Sequence, residues 1–150
     1  MIALATLKYL SGQKVRDAEA LFQKNRHAGA VYLMGYALEF SFKRKVCQTI
    51  GFTLGFPESP SDFNSYTNEI TRFTNGTGIA LTQVRQIKNH DLNSLVRFSG
   101  VEAIILNAYY EEWIRIKDWN PENRYRRQRF TNAMTREFIV SAKKILTQIA

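Results

Sequence analysis

The sequence predicts an all-α protein, an antiparallel bundle of four to five helices. Apolar residues return at three- and four-residue steps through most of the 150 residues. Glycines and prolines gather at a few places and divide the chain into helix-length pieces. No stretch keeps the two-residue alternation of a half-buried strand, and no internal repeat or low-complexity segment interrupts the pattern. The length suits one domain, 1–150, with a loop-rich connector at about 51–61.

Taken in order, Val15, Ala18, Leu21 and Phe22 line one face and predict a helix from Gly12 to Asn25, with Ser11 as its N-cap. Lys24, Arg26 and His27 gather at its C-terminal end, where the helix dipole favours cations. The second helix is the longest. Ala30, Val31, Met34, Ala37, Leu38, Phe42 and Val46 form its apolar stripe, and Gly51 stops it. Gly29 and Gly35 let another helix approach closely. Glu39 and Lys43 stand four apart in the favourable order for an ion pair.

After the connector, Ser61 or Asp62 is expected to cap a helix through about Phe73, ended by Thr74–Gly78. Another runs from Ile79 to Lys88, then a corner at Asn89–Asp91, where Asp91 caps a short helix ending near Gly100. From there one amphipathic helix points Ile104, Ile105, Ala108, Tyr109 and Trp113 inward, until Pro121 breaks it. Residues 120–130 are expected as a turn or extended segment. The last helix, from about Thr131 to Ile149, turns Ala133, Met134, Phe138, Ala142, Ile145 and Ile149 inward.

Composition narrows the function classes. Aromatic residues at 13% promise a large core and argue against disorder. Cys47 is the single cysteine and is expected buried, without a disulfide or a zinc-ligand partner. No run of about 18 apolar residues predicts a membrane span. Lys8 interrupts the mildly apolar start, so no leader and a cytoplasmic protein are expected. The net charge of +8 is compatible with phosphate-bearing partners, whose counterions a basic protein releases, or serves solubility alone.

No phosphate-binding glycine loop, zinc-protease helix or calcium loop is present, and neither a metal nor a cofactor is expected. Three places carry chemistry. Arg85 and His90 have four residues between them. A histidine can take the proton of a ribose 2′-hydroxyl, and an arginine can hold the scissile phosphate. The plainer reading makes His90 part of a corner and leaves Arg85 in solvent. Residues 123–136 hold five arginines and no acid. Among them Arg124, Arg126, Arg127 and Arg129 interleave with Tyr125 and Phe130, as grips for phosphates beside stacking rings. Alternatively those arginines pair with Glu111, Glu112 or Glu122. Glu39 lies beside an apolar face, as an i,i+4 partner of Lys43, an anchor to a neighbouring loop or a functional carboxylate. Tyr32 and Tyr36, one turn apart, belong to the core or to a dimer interface.

The stretch from Asp17 to Val46 resembles the first helical hairpin of HEPN domains (higher eukaryotes and prokaryotes nucleotide-binding). The matching features are Ala18 and Leu21, then Gly35, Tyr36, Ala37, Glu39 and Lys43. His90, Leu92 and Leu95 resemble the family's H-x-L-x-x-L corner. Trp119, Arg124 and Tyr125 resemble its W-x-x-x-x-RY segment. The resemblance covers roughly residues 13 to 149. It implies an antiparallel helical bundle that frequently forms homodimers, with a cleft between protomers. Many such proteins are RNA-cleaving toxins or defence effectors; others bind RNA or nucleotides, or serve as interaction modules.

Nuclease members place an Arg and a His, with four to six residues between them, at the start of a late helix. Here the last helix has no histidine, and His90 falls on the corner, which in the family is mainly structural. The first expectation is therefore a bacterial or archaeal module that binds RNA or a nucleotide through Arg124, Tyr125, Arg126, Arg127 and Arg129, as a homodimer. The alternatives are a metal-independent endoribonuclease using Arg85 and His90, and a non-catalytic subunit bound to a cognate protein of a toxin–antitoxin or defence complex.

Overall fold

The computed structural model describes residues 1–127 and 129–150. Among them the chain is all-α, with nine α-helices, two 3-10 turns and no strand; one isolated antiparallel bridge joins Ile2 to Phe56. Helices α1 (Leu4–Gln23) and α2 (His27–Ile50) form a hairpin across three residues, and Asn25 takes the left-handed conformation at its tip (φ 57°). A run of short helices follows: α3 (Pro60–Asn64), α4 (Thr67–Thr77), α5 (Leu81–Val84) with a 3-10 turn over Arg85–Lys88, α6 (Leu92–Phe98), α7 (Glu102–Ala108) and α8 (Tyr110–Ile116). A second 3-10 turn, Pro121–Tyr125, leads to α9 (Asn132–Ile149).

Helix α2 is the axis of the fold and packs on α1, α6 and α9, while α8 packs on α9. All seven residues of its expected stripe are buried, and Gly51 closes it in the left-handed conformation at φ 93°. Every α-helix contributes a buried apolar side chain to one continuous core cluster. Cys47 lies in that core, and burial pushes its thiol up to about 12, which keeps it protonated and unreactive. Asp91 caps α6 as expected, accepting from the amides of Asn93 and Ser94. Burial works to raise its carboxyl, but the bonds from Ser94 and Asn93 outweigh it and leave the group below its ordinary range.

Several expectations are corrected. Helix α1 starts at Leu4, and Ser11 is no cap. It sits in the middle of the stripe Leu7, Ser11, Val15, Ala18, where its hydroxyl donates to the Ala37 carbonyl oxygen at 2.8 Å and meets the Ser41 hydroxyl at 2.7 Å. A serine satisfied across a helix pair interrupts nothing. Ser59, rather than Ser61 or Asp62, caps α3; Asp62 closes the capping box from three residues on.

The expected helix over 101–119 is two helices that break at Tyr109 (φ −130°, ψ 31°). Ile105, Trp113 and Ile116 turn inward, with Tyr109 between them half-buried, while Ile104 and Ala108 fall outside that face and stay exposed. In α9, Ala133 and Met134 are exposed because the first turn precedes the core contact; Thr135 and Ile139 are the buried residues there. No helix among the described residues is long and apolar enough to cross a membrane.

Candidate functional site

The site grows from the outer half of α2. Gly35 has no side chain because Trp119 occupies its place: a Cβ there would lie 1.9 Å from the indole ring. The close neighbour of this glycine is thus one aromatic side chain following α8, not a helix. Trp119 meets Tyr36 edge to face, with ring centroids 5.1 Å apart, and Tyr36 meets Tyr32 in the same way at 5.1 Å. The Tyr32 and Tyr36 hydroxyls share a hydrogen bond of 3.3 Å. Burial raises the Tyr36 phenol well above the ordinary tyrosine range. The hydrogen bond shared with Tyr36 and the nearby Arg124 guanidinium lower Tyr32.

Arg124 is delivered to this ladder by the 3-10 turn that Asn120 caps, its side chain accepting from the Glu122 amide. The Arg124 guanidinium donates to the Tyr32 hydroxyl at 3.1 Å and to the Tyr125 hydroxyl at 2.6 Å, and lies 4.7 Å from the Tyr125 ring centre. Between α2, α8, the second 3-10 turn and α9 opens a cleft of about 390 Å³. Its cations are Arg115, Arg124 and Arg126, with Asp118 at the same wall. Tyr32, Trp119, Phe130 and Phe138 supply aromatic surface, and Asn120 and Asn123 supply amides. Ala28 and Gly29, in the first turn of α2, complete the lining.

Of the five residues of the arginine segment singled out from the sequence, Arg124 and Arg126 line the cleft. Tyr125 stacks on Arg124 but stands 76% exposed. Arg127 and Arg129 are exposed and do not line it. None of the four arginines forms an ion pair among the described residues: Glu112 is taken by Lys144 at 2.8 Å, and Asp118 by Lys117 at 3.1 Å. Phe130, expected as a stacking ring, lines the cleft, whereas Arg115, Ala28 and Gly29 were missed as site residues, and they lie in two segments outside residues 123–136. Nothing in the local sequence of those three marks them.

His90 and Arg85 do not line the cleft. Nδ1 of His90 sits 2.9 and 3.0 Å from the two carboxylate oxygens of Glu39, which is 1% exposed and also receives Lys43 Nζ at 2.6 Å. A carboxylate that already holds an ammonium is an acceptor, so Nδ1 carries the hydrogen and Nε2 is the ring's other face. The His90 ring meets Tyr36 edge to face at 6.4 Å. Arg85 is exposed on the first 3-10 turn, and among the described residues it makes neither a hydrogen bond nor an ion pair with His90. Both expectations for Glu39 outside catalysis are realised at once: it pairs with Lys43 and anchors the Asn89–Asp91 corner to α2.

No three His, Cys, Asp or Glu side chains gather as a metal-binding group among the described residues. Comparison with protein-family models, with curated proteins and with solved structures finds no match.

Proposed function

We propose that this chain is a HEPN-like helical module that binds RNA or a nucleotide in the cleft beside α2, as a homodimer in a prokaryotic defence or stress setting. The observation that carries the reading is the placement of Arg124 and Arg126, free of carboxylate partners, around an aromatic-lined cleft. Guanidiniums bind phosphate oxygens in pairs, and neighbouring rings offer stacking surface to a base. The three segments that carry the resemblance meet on α2, through Trp119 on Gly35, His90 on Glu39 and Arg124 on Tyr32.

The test is binding of a labelled single-stranded RNA and of ADP to the Arg124→Glu/Arg126→Glu variant. Losing two charge-assisted contacts weakens binding by roughly 100-fold or more. Helical content and melting temperature stay as in the wild type, because both side chains are exposed. Unchanged affinity for both ligands rejects the reading.

One observation favours a second reading, a metal-independent endoribonuclease that uses His90 with Arg85. A histidine whose Nδ1 is held by a buried carboxylate has a defined tautomer, the arrangement a general base requires. In this reading Glu39 is the positioning residue. The assay is RNA cleavage in excess chelator by wild type and His90→Ala. Cleavage that vanishes in the variant establishes the enzyme, and intact RNA with both proteins removes it.

A further inference from the structure

The cleft is built asymmetrically for charge. Three guanidiniums and one carboxylate line it, and that carboxylate, on Asp118, is already held by Lys117. Arg124 is tied to Tyr32, one helical turn beyond Ala28 on α2, which brings its guanidinium beside the opening turns of that helix. The first turn carries no side-chain cap and no acidic residue, and its two residues that line the cleft, Ala28 and Gly29, have almost no side chain to cover their amides. The positive end of a 24-residue helix therefore adds to the guanidinium field. The remaining lining is largely aromatic and apolar: Trp119, Phe130, Phe138 and Ile114.

Two properties of this arrangement discriminate between ligands. The volume of about 390 Å³ falls in the range that buries one small ligand rather than a run of strand. The density of donors suits a group with a double charge and three free oxygens. A terminal phosphomonoester has about −1.5 to −2 charges near neutral pH and three acceptor oxygens. An internal phosphodiester of a strand has a single charge and two free oxygens, and both of its flanks are occupied.

We propose that the cleft takes a terminal phosphomonoester borne by one nucleotide, with the phosphate between Arg124, Arg126 and the amides of Ala28 and Gly29, and the base against Trp119 and its aromatic neighbours. This rests on the reading of the cleft as an RNA or nucleotide site and adds which chemical end it recognises. Two sources share that chemistry, a free nucleoside monophosphate and the 5′ end of an RNA strand.

The experiment measures affinity by fluorescence anisotropy. It uses a 3′-labelled hexanucleotide RNA with a 5′-phosphate and the same strand with a 5′-hydroxyl, with AMP and adenosine as competitors. Two further variants join the wild type and Arg124→Glu/Arg126→Glu. Ala28→Asp places a carboxylate at the cleft, and an acid in a first helical turn favours the helix, so folding is retained. Arg97→Gln makes the same change in net charge at an exposed site on α6 that does not line the cleft.

The expected result is a loss of roughly 100-fold when the 5′-phosphate is removed, and a similar loss in Ala28→Asp for the phosphorylated strand alone, while Arg97→Gln stays within about threefold. AMP that competes as well as the strand assigns the site to free nucleotides; a strand that binds far more tightly assigns it to RNA ends. Equal binding of the two strands, still lost in Arg124→Glu/Arg126→Glu, overturns the end-recognition proposal and leaves the RNA reading standing. No binding of any probe removes both.

Discussion

Glu39 shows what a single buried side chain can organise. Its carboxylate is 1% exposed, holds Lys43 at 2.6 Å and His90 at 2.9 Å, and so ties the corner before α6 to the middle of α2. Lys43 is itself buried and lies 5.0 Å from the centre of the Phe56 ring. Removing one partner of such a pair strands the other charge in an apolar setting. Glu39→Ala is therefore expected to destabilise the fold by about 3–5 kcal/mol, measured by urea unfolding. Replacing both partners, as Glu39→Leu with Lys43→Met, is expected to recover most of that loss, because neither charge is then left unpaired. A Glu39→Ala protein as stable as the wild type would show that water reaches Lys43 and that the pair contributes little. The ion pair was legible from the spacing of Glu39 and Lys43. The bond to His90 was not, since 51 residues separate the partners.

At the scale of elements, α2 behaves as a ruler against which everything else is placed. Its apolar stripe and its glycine stop were both legible, because a long helix repeats one pattern over many turns. Gly35 is the informative exception. In an exposed helix Gly→Ala stabilises by up to about 1 kcal/mol, through propensity alone. Here the added methyl would meet the Trp119 ring at 1.9 Å. Gly35→Ala is instead expected to cost about 1–3 kcal/mol, the ordinary penalty of overpacking. It should also displace Trp119 from the cleft wall, which its fluorescence spectrum would report. A variant that gains stability with an unchanged spectrum would mean that the indole is free to move aside. The short helices were less legible. A seven-residue helix spans two turns, too few to show its phase, and Ile104 and Ala108 were therefore expected on the wrong face.

For the whole molecule, the exposed apolar side chains matter most. Ile104, Leu106, Tyr110 and Ile114 stand 52%, 39%, 54% and 42% exposed along α7 and α8, so these two helices carry exposed apolar side chains available to the proposed homodimer. If the homodimer forms there, sedimentation gives twice the chain mass for the wild type and the chain mass for Ile104→Glu/Tyr110→Glu, with helical content unchanged. A monomeric wild type at high concentration removes the dimer from the proposal.

The all-α class, the long second helix with its stop, the buried Cys47, the cap at Asp91 and the basic character of residues 123–136 were readable along the chain. Each of these depends on residues close together in the chain, where spacing and local chemistry decide the outcome. Only the tertiary structure decided that Arg124 and Arg126 line a cleft while Arg127 and Arg129 do not, and that Ser11 faces Ala37 and Ser41. It alone decided that Trp119 fills the space beside Gly35. Those outcomes depend on where separate helices cross, and crossing positions follow from the packing of the whole core rather than from any one segment.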